Sequence, residues 1–464
     1  MMKLRNLILL SLLIVAGASL FEARAQGAGK PKYNVLFIAV DDLRPELGAY
    51  GNQIIKTPNI DRLASWGVRF DAAYVQYPLC NPSRASMLTG RYPTQTGVLD
   101  NRTWFGALHP EIVSLPKHFK QHGYASLRTG KIFHGGIDDT DAWTAGGEKR
   151  NFEGAVNTTA PGQNPANSDR IITLEGDGES HGDYRIATRA IEFLEEYKDK
   201  PFLLMFGLNK PHSPPTAPKK MIEMYDVAKM PLPVDFAPRP TIPPGFPKLS
   251  VPPRNGDLFI GRDASEAEAR EVMRAYYASV TFTDANVGRV LDALERLKLR
   301  EKTIIVFWGD HGYHLGEKGK WSKHNSLFEV GARVPLMIVA PGAKGNGKAS
   351  PRVVEAVDLY PTLADLCALP APQGVAGQSL KPLLDNPRAK WDHPAYTVTK
   401  FGASIGRAVR TERWRYAEWS NSEDGGAMLF DRQKDPHELK NLASDPAHAK
   451  VVREMKSLLD RMPK

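Results

Sequence analysis

The chain has 464 residues, 42% of them hydrophobic and 24% charged, and a formal charge of +9. Its 2 cysteines exclude a disulfide framework. The basic balance favours polyanionic partners, but no Lys/Arg-rich run or nucleic-acid motif accompanies it, so nucleic acid is not expected as a partner.

In chain order, Lys3 and Arg5 precede an apolar stretch from Leu7 to Phe21 and the small-residue pattern Ala23-Arg24-Ala25. This predicts a secretory signal over residues 1–25. The stretch is short for a bilayer span, and no other segment approaches the roughly 20 apolar residues needed. The expectation is an exported protein, periplasmic or secreted, with no stable membrane insertion after signal removal.

Asn34 to Val40 is a continuous apolar run of the kind that forms a buried parallel strand, and it ends in Asp41-Asp42. Two adjacent carboxylates repel unless a cation lies between them. At Cys80-Asn81-Pro82-Ser83-Arg84, Pro82 and Ser83 open a helix that Ala85 to Leu88 propagate. Cys80 then stands at the helix's positive end, where anions bind, with Arg84 in the same turn. A lone cysteine among small residues is otherwise an inert buried side chain. Arg102 and Trp104 follow in a loop and could hold a carboxylate and a sugar face.

Tyr124 to Thr129 reads as a strand leading to Lys131 and His134, Tyr184 to Tyr197 as a helix, and Pro201 to Leu208 as a strand. Prolines from Pro211 to Pro253 forbid regular helix or central strand, so an ordered loop beginning near His212 is expected there. Ala264 to Leu297 carries helical spacing, and Thr303 to Gly309 is a second apolar strand, ending in Asp310-His311. Ligands gather beyond the carboxyl ends of strands in open α/β sheets. Both acidic pairs can therefore converge on one divalent ion, and carboxylates suit Ca²⁺ or Mg²⁺.

Val334 to Ala340 adds a strand, and Leu363 to Leu369 a helix in which Cys367 reads as a core residue. Residues 374–387 look like a connection. Beyond them Ala395 to Thr399, Ser404 to Arg410, Trp414 to Trp419 and Ala427 to Asp431 read as antiparallel strands, and Ala447 to Met462 as a last helix. The predicted fold is α/β: a large doubly wound mixed sheet flanked by helices, with a smaller C-terminal α+β domain. The expected division is a signal peptide over 1–25, a catalytic domain over 26–373 and a C-terminal subdomain over 374–464.

Cys80 to Arg84, continuing to Ala85-Ser86-Met87-Leu88-Thr89-Gly90-Arg91, resembles the pattern in which sulfatases oxidise a cysteine to formylglycine. Thr129 to His134, Lys210-Pro211-His212, Gly309 to Trp321 with Lys323, and Leu429-Phe430-Asp431 extend the likeness. The chain thus resembles the formylglycine sulfatases of the alkaline phosphatase superfamily, and among them the iduronate-2-sulfatases. The resemblance implies hydrolysis of sulfate esters of a sulfated sugar or polysaccharide, with Cys80 converted by a formylglycine-generating maturation enzyme. It implies one Ca²⁺ held by Asp41, Asp42, Asp310, His311 and modified Cys80. Lys131 and Lys323 are expected on the sulfate oxygens, with Arg84 anchoring the nucleophile. His134 would take a proton from the nucleophile's hydrate, and His212 would protonate the leaving oxygen. Two alternatives stay open: a phosphonate or phosphate-ester hydrolase of the same superfamily, or a non-catalytic sulfated-glycan binding protein should Cys80 stay unmodified.

Overall fold

A computed structural model describes residues 33–150, 152–157, 169–420 and 425–463. The predicted signal over 1–25 lies outside them. Among the described residues no helix is long and apolar enough to cross a membrane.

The large sheet is built from β1 (Asn34–Val40), β2 (Val68–Tyr74), β3 (Ala125–Gly130), β5 (Phe202–Leu208), β7 (Thr303–Gly309), β8 (Arg333–Val339) and β9 (Ala349–Glu355), and a two-stranded ribbon from β4 (Ile172–Leu174) and β6 (Thr216–Pro218). Strand order in the large sheet is β3-β5-β1-β7-β8-β2-β9. The strands from β3 to β7 are mutually parallel, and β8 runs antiparallel to both of its neighbours. All seven residues of β1, β5 and β7 are buried, as apolar runs covered on both faces must be.

Alternation along β1 sorts the helices into two layers. Leu36, Ile38 and Val40 face the core shared with α1 (Pro58–Trp66), α4 (Gly182–Tyr197) and α5 (Glu266–Arg296). Val35, Phe37 and Ala39 face the core shared with α2 (Cys80–Thr89), α3 (Leu115–Gln121) and α6 (Leu359–Leu366). The 31-residue α5 starts at a capping box in which Ser265 and Glu268 satisfy each other's backbone N–H groups.

Register fixes what emerges at the sheet's carboxyl edge. Val40 pairs with Gly309 on one side and Leu208 on the other, and Gly207 pairs with Gly130. Asp41, Asp310, Asn209 and Lys131 therefore leave the sheet side by side. Gly207 is required there, because a Cβ would collide with the Lys131 carbonyl.

The smaller sheet has the order β10-β11-β12-β13, from β10 (Ala395–Phe401), β11 (Ser404–Arg410), β12 (Trp414–Trp419) and β13 (Ala427–Asp431), all antiparallel. One face packs Val398, Val409, Tyr416 and Leu429 on Met455 and Leu459 of α7 (Ala449–Leu459). The other packs Ala408, Ala417, Met428 and Phe430 on Leu327 and Phe328 of the large body. The proline-rich segment departs from the expected irregular loop in β6, one helical turn at Lys219–Ile222 and the 3-10 turns Val227–Lys229 and Lys248–Ser250. Cys367 caps the end of α6, buried and unpaired with Cys80.

A buried charge cluster ties the smaller sheet to the larger body. Glu329 accepts from Arg415 Nη2 at 2.7 Å, Arg410 Nε at 3.2 Å and the Tyr74 hydroxyl at 2.7 Å. Burial works to raise its pKa, but Arg410, Arg415 and Arg432 together hold it well below the usual carboxylate range. Removing one partner from such a cluster leaves uncompensated buried charge. Glu329→Gln should cost about 3–5 kcal/mol in urea unfolding, whereas Glu266→Gln, on the exposed start of α5, should stay within about 0.5 kcal/mol. Equal unfolding midpoints for the two variants would remove the cluster's structural role.

Candidate active site

Cys80 is the first residue of α2, and all ten residues of that helix are buried. Its Sγ lies 3.4 Å from Asp41 Oδ1 and 3.3 Å from His311 Nε2. One ligand atom from each of Asp41, Cys80, Asp310 and His311 falls in a cluster whose members lie within 4.8 Å of one another. The helix is locked against the acidic strand end: Ser83 Oγ donates to the Asp310 carbonyl, and Arg84 Nε donates to Asp310 Oδ2 at 2.8 Å. Arg84 also donates to the carbonyls of Lys131 and Ile132, so it joins three chain segments rather than facing open space.

Asp42 stands outside that ligand cluster, a departure from the expected set. Its backbone is left-handed, with φ 60°. The turn is held by Tyr276, which donates to the Asp42 carbonyl at 2.7 Å and accepts from the Arg44 N–H at 3.1 Å. Its carboxylate is drawn to Lys323 Nζ, 3.1 Å away, and lies 3.2 Å from His311 Nδ1. Burial raises the Asp42 pKa well above the usual value, with Lys323 only partly offsetting it. Asp41 differs: burial again raises, but Lys131, His212, Arg84 and Lys323 outweigh it and hold the group ionised. For His311 burial lowers the pKa, yet Asp310 and Cys80 more than reverse this and lift it to about 10.

The donor set fits a hard divalent cation. Carboxylates of Asp41 and Asp310 converge with imidazole Nε2, and His311 Nδ1 donates to the Gly312 carbonyl at 3.0 Å, which turns Nε2 toward Cys80. A buried concentration of anions of this kind is costly without cations.

Cys80, Lys131, His134, His212 and Lys323 line one cleft cavity of about 760 Å³. Lys131 donates to Asp41 Oδ2. His212 Nδ1 donates to the Ser213 carbonyl at 2.7 Å, leaving Nε2 to face the cleft, 3.9 Å from Asp42 Oδ2. Burial, reinforced by Lys131, pushes His134 down to about 3; burial, reinforced by Lys323, does the same to His212.

Two contributors, Asp257 and His324, carry no sequence signal of their own. Asp257 is buried 3.3 Å from Lys323 Nζ, in a loop rich in proline and glycine. His324 lines the cleft, and Gly256 makes room for its ring. Lys210 donates to the carbonyls of His212 and Pro214 at 2.7 and 2.8 Å, which shapes the loop bearing His212. By contrast Trp104 does not line the cavity: the Arg150 guanidinium covers its ring, 3.5 Å from the centroid, while Arg102 does line it. His314 is a core residue bonded to Ser326 Oγ at 2.7 Å, and His109 pairs with Glu111 outside the cleft.

Residues 33–368 match the sulfatase family, and residues 316–464 match the C-terminal region of N-sulphoglucosamine sulphohydrolase. The chain is 34% identical over 411 residues to iduronate 2-sulfatase of Mus musculus, covering 78% of this chain and 74% of that protein. It superposes on a 2-O glycosaminoglycan sulfatase with a TM-score of 0.68 at 26% identity, covering 92% of this chain and 91% of the other. A phosphonate monoester hydrolase of Agrobacterium radiobacter shares the fold, with a TM-score of 0.73 at 22% identity over 92% of this chain and 95% of that one. The mixed sheet of alkaline-phosphatase type, the buried Asp/Cys/Asp/His cluster and the match across most of the described residues agree: the chain is a hydrolase that belongs to the sulfatase family.

Proposed function

We propose that the protein is an exported sulfatase that hydrolyses sulfate esters of a sulfated sugar or polysaccharide, similar in substrate to iduronate 2-sulfatase, with residue 80 as formylglycine. The observation that carries this reading is Cys80 at the start of a fully buried helix, within 3.4 Å of both Asp41 and His311. Formylglycine supplies a hydrated aldehyde, one hydroxyl for attack on sulfur and the other for later release of sulfate, and a bound Ca²⁺ supplies a lowered hydroxyl pKa and charge neutralisation. Asp41, Asp310 and His311, with residue 80, would hold the cation, and Asp42 would complete the set by turning from Lys323.

Lys131 and Lys323 are placed to donate to sulfate oxygens, whose charge grows in the transition state. Both already stand on carboxylates, so their positions are fixed before substrate arrives. His134, held neutral by burial and Lys131, is the acceptor for a proton from the residue-80 hydrate. His212 is the donor to the leaving sugar oxygen through Nε2. Burial, reinforced by Lys323, keeps this ring neutral, and the negative charge of a bound sulfate monoester works against both, so binding favours its protonated form.

Peptide mass spectrometry of active protein made with its maturation enzyme should show an aldehyde in place of the Cys80 thiol. Full activity with only the thiol present would end the mechanism. A phosphonate ester assayed beside the sulfate ester measures the competing reading, and faster phosphonate turnover would favour it.

Asp41→Ala and Asp310→Ala should each lower bound Ca²⁺, measured by elemental mass spectrometry, and abolish turnover. Unchanged metal content in both would rule out the cation site.

His212→Ala should slow sugar sulfates by about 10²- to 10⁴-fold, and activated aryl sulfates far less, because a phenolate leaves without a proton. His134→Ala should instead let a sulfated enzyme accumulate with either substrate. Equal losses on both substrates for His212→Ala, with no trapped intermediate for His134→Ala, would overturn this division.

A further inference from the structure

Cationic side chains in the cleft divide into two groups. Lys131 stands on Asp41, Lys323 on Asp42 and Asp257, and Arg128 on Asp138 at 3.1 Å and Glu148 at 3.2 Å. Arg102 and Arg185 also line the cavity, yet among the described residues neither forms an ion pair with a carboxylate. Both are exposed, whereas in the same cleft Cys80 and Lys323 are buried and Lys131 is partly buried. They are thus surplus positive charge that the buried cluster does not consume.

Their backbones are not free to drift. Asp100 Oδ1 accepts from the N–H groups of Arg102 at 2.9 Å and Thr103 at 2.8 Å, a turn characteristic of aspartate. Asn81, the second residue of α2, donates to the carbonyls of Asp100 and Thr103 at 2.9 and 2.6 Å. Arg102 is therefore carried on a loop clamped to the helix that bears Cys80. Arg185 lies in the first turn of α4 and donates from Nη1 to the Ser180 carbonyl at 2.6 Å. That turn is fixed by Asp183, fully buried, which accepts from Asn209 N at 3.0 Å and Lys210 N at 2.8 Å. Arg185 is therefore clamped to the strand end that leads to His212.

We propose that Arg102 and Arg185 form a second anion subsite, which selects substrates carrying another anionic group, a carboxylate or a second sulfate, beside the sulfate ester that is cleaved. The inference rests on the sulfatase reading above. Lys131, Lys323 and the cation site serve the reacting sulfate, and a guanidinium fork on a rigid loop suits a planar carboxylate or a sulfate through paired N–H donors. Neither arginine touches the reacting atoms. They act on binding, so their loss falls chiefly on KM for sugars that carry the second anion.

The test compares wild type with Arg102→Gln, Arg185→Gln and the double variant on three substrates. These are a disaccharide bearing the cleavable sulfate and a uronate carboxylate, its carboxyl-reduced counterpart with a second sulfate elsewhere, and an aryl sulfate with no second anion. The double variant should lose about ten- to hundredfold more kcat/KM on at least one disaccharide than on the aryl sulfate, mainly through KM. Whichever disaccharide is affected identifies the anion. Equal losses on all three substrates, or none on either disaccharide, would overturn the subsite. Calorimetric binding of the same disaccharides to Cys80→Ala protein, with and without the arginine changes, separates the two ideas. Binding that depends on the arginines, in a protein whose unaltered form releases no sulfate from any ester, would sink the sulfatase reading and keep the subsite. Binding indifferent to the arginines would sink the subsite alone.

Discussion

Burying Asp41, Asp42, Asp257 and Asp310 within one small volume is the constraint on which the rest of the active region depends. Carboxylates taken out of water and set beside one another repel and lose hydration, so each needs a fixed cation or several donors. Arg84 meets Asp310, Lys131 meets Asp41, and Lys323 is shared between Asp42 and Asp257. Reciprocally, burial alone would drive the lysines toward neutrality, and the carboxylates keep Lys131 and Lys323 charged. Lys320 forms no ion pair among the described residues: burial, reinforced by Lys318 and only partly offset by Asp257, brings it down to about 7.

That balance can form only because the scaffold delivers the charges in register. A one-residue slip of β1 against β7 would send Asp41 to the opposite face and away from Asp310. Such a slip is opposed by two apolar cores, since Leu36 and Phe37 belong to different layers. The site is also braced from outside the sheet. Asp183 fastens α4 to the end of β5, Tyr276 of α5 holds the turn at Asp42, and Asn81 fastens the following loop to α2. Polar side chains thus do at the rim what apolar packing does below, because loop backbones at a wet edge need hydrogen-bond partners.

Legibility in the sequence follows burial. The ranges of β1, β7 and β11 read from apolar or alternating runs coincide with the structure, and α5 differs by two residues at its start and one at its end. β2 and β9 escaped, because Val68–Tyr74 and Ala349–Glu355 mix charge with small residues and lie toward one end of the sheet. Among site residues, those directly following an apolar strand were visible, since topology alone sends them to the carboxyl edge. Asp257 and His324 were not, because they come from irregular segments whose path is set by tertiary contacts such as Trp321 N donating to Asn255 Oδ1 at 2.8 Å. Asp42 lies at the same edge, on Lys323 and beside His311. Its left-handed backbone and the pull of Lys323 are not encoded in an Asp-Asp pair.

Burial, reinforced by the same cations that stabilise the carboxylates, sets the protonation of the cleft. His134 and His212, both pushed to about 3, are neutral at physiological pH. His311, facing carboxylates and Cys80 instead, is pushed the other way. Imidazoles in one small region are thus separated in proton affinity by which charges each ring faces, not by differences in the rings themselves. An anion in the cleft adds negative charge beside His134 and His212 and raises both, whereas a cation at the Asp41–Asp310 cluster would displace the proton from His311. Proton inventory and occupancy are therefore coupled, so the charge state of each histidine belongs to the filled site as much as to the fold.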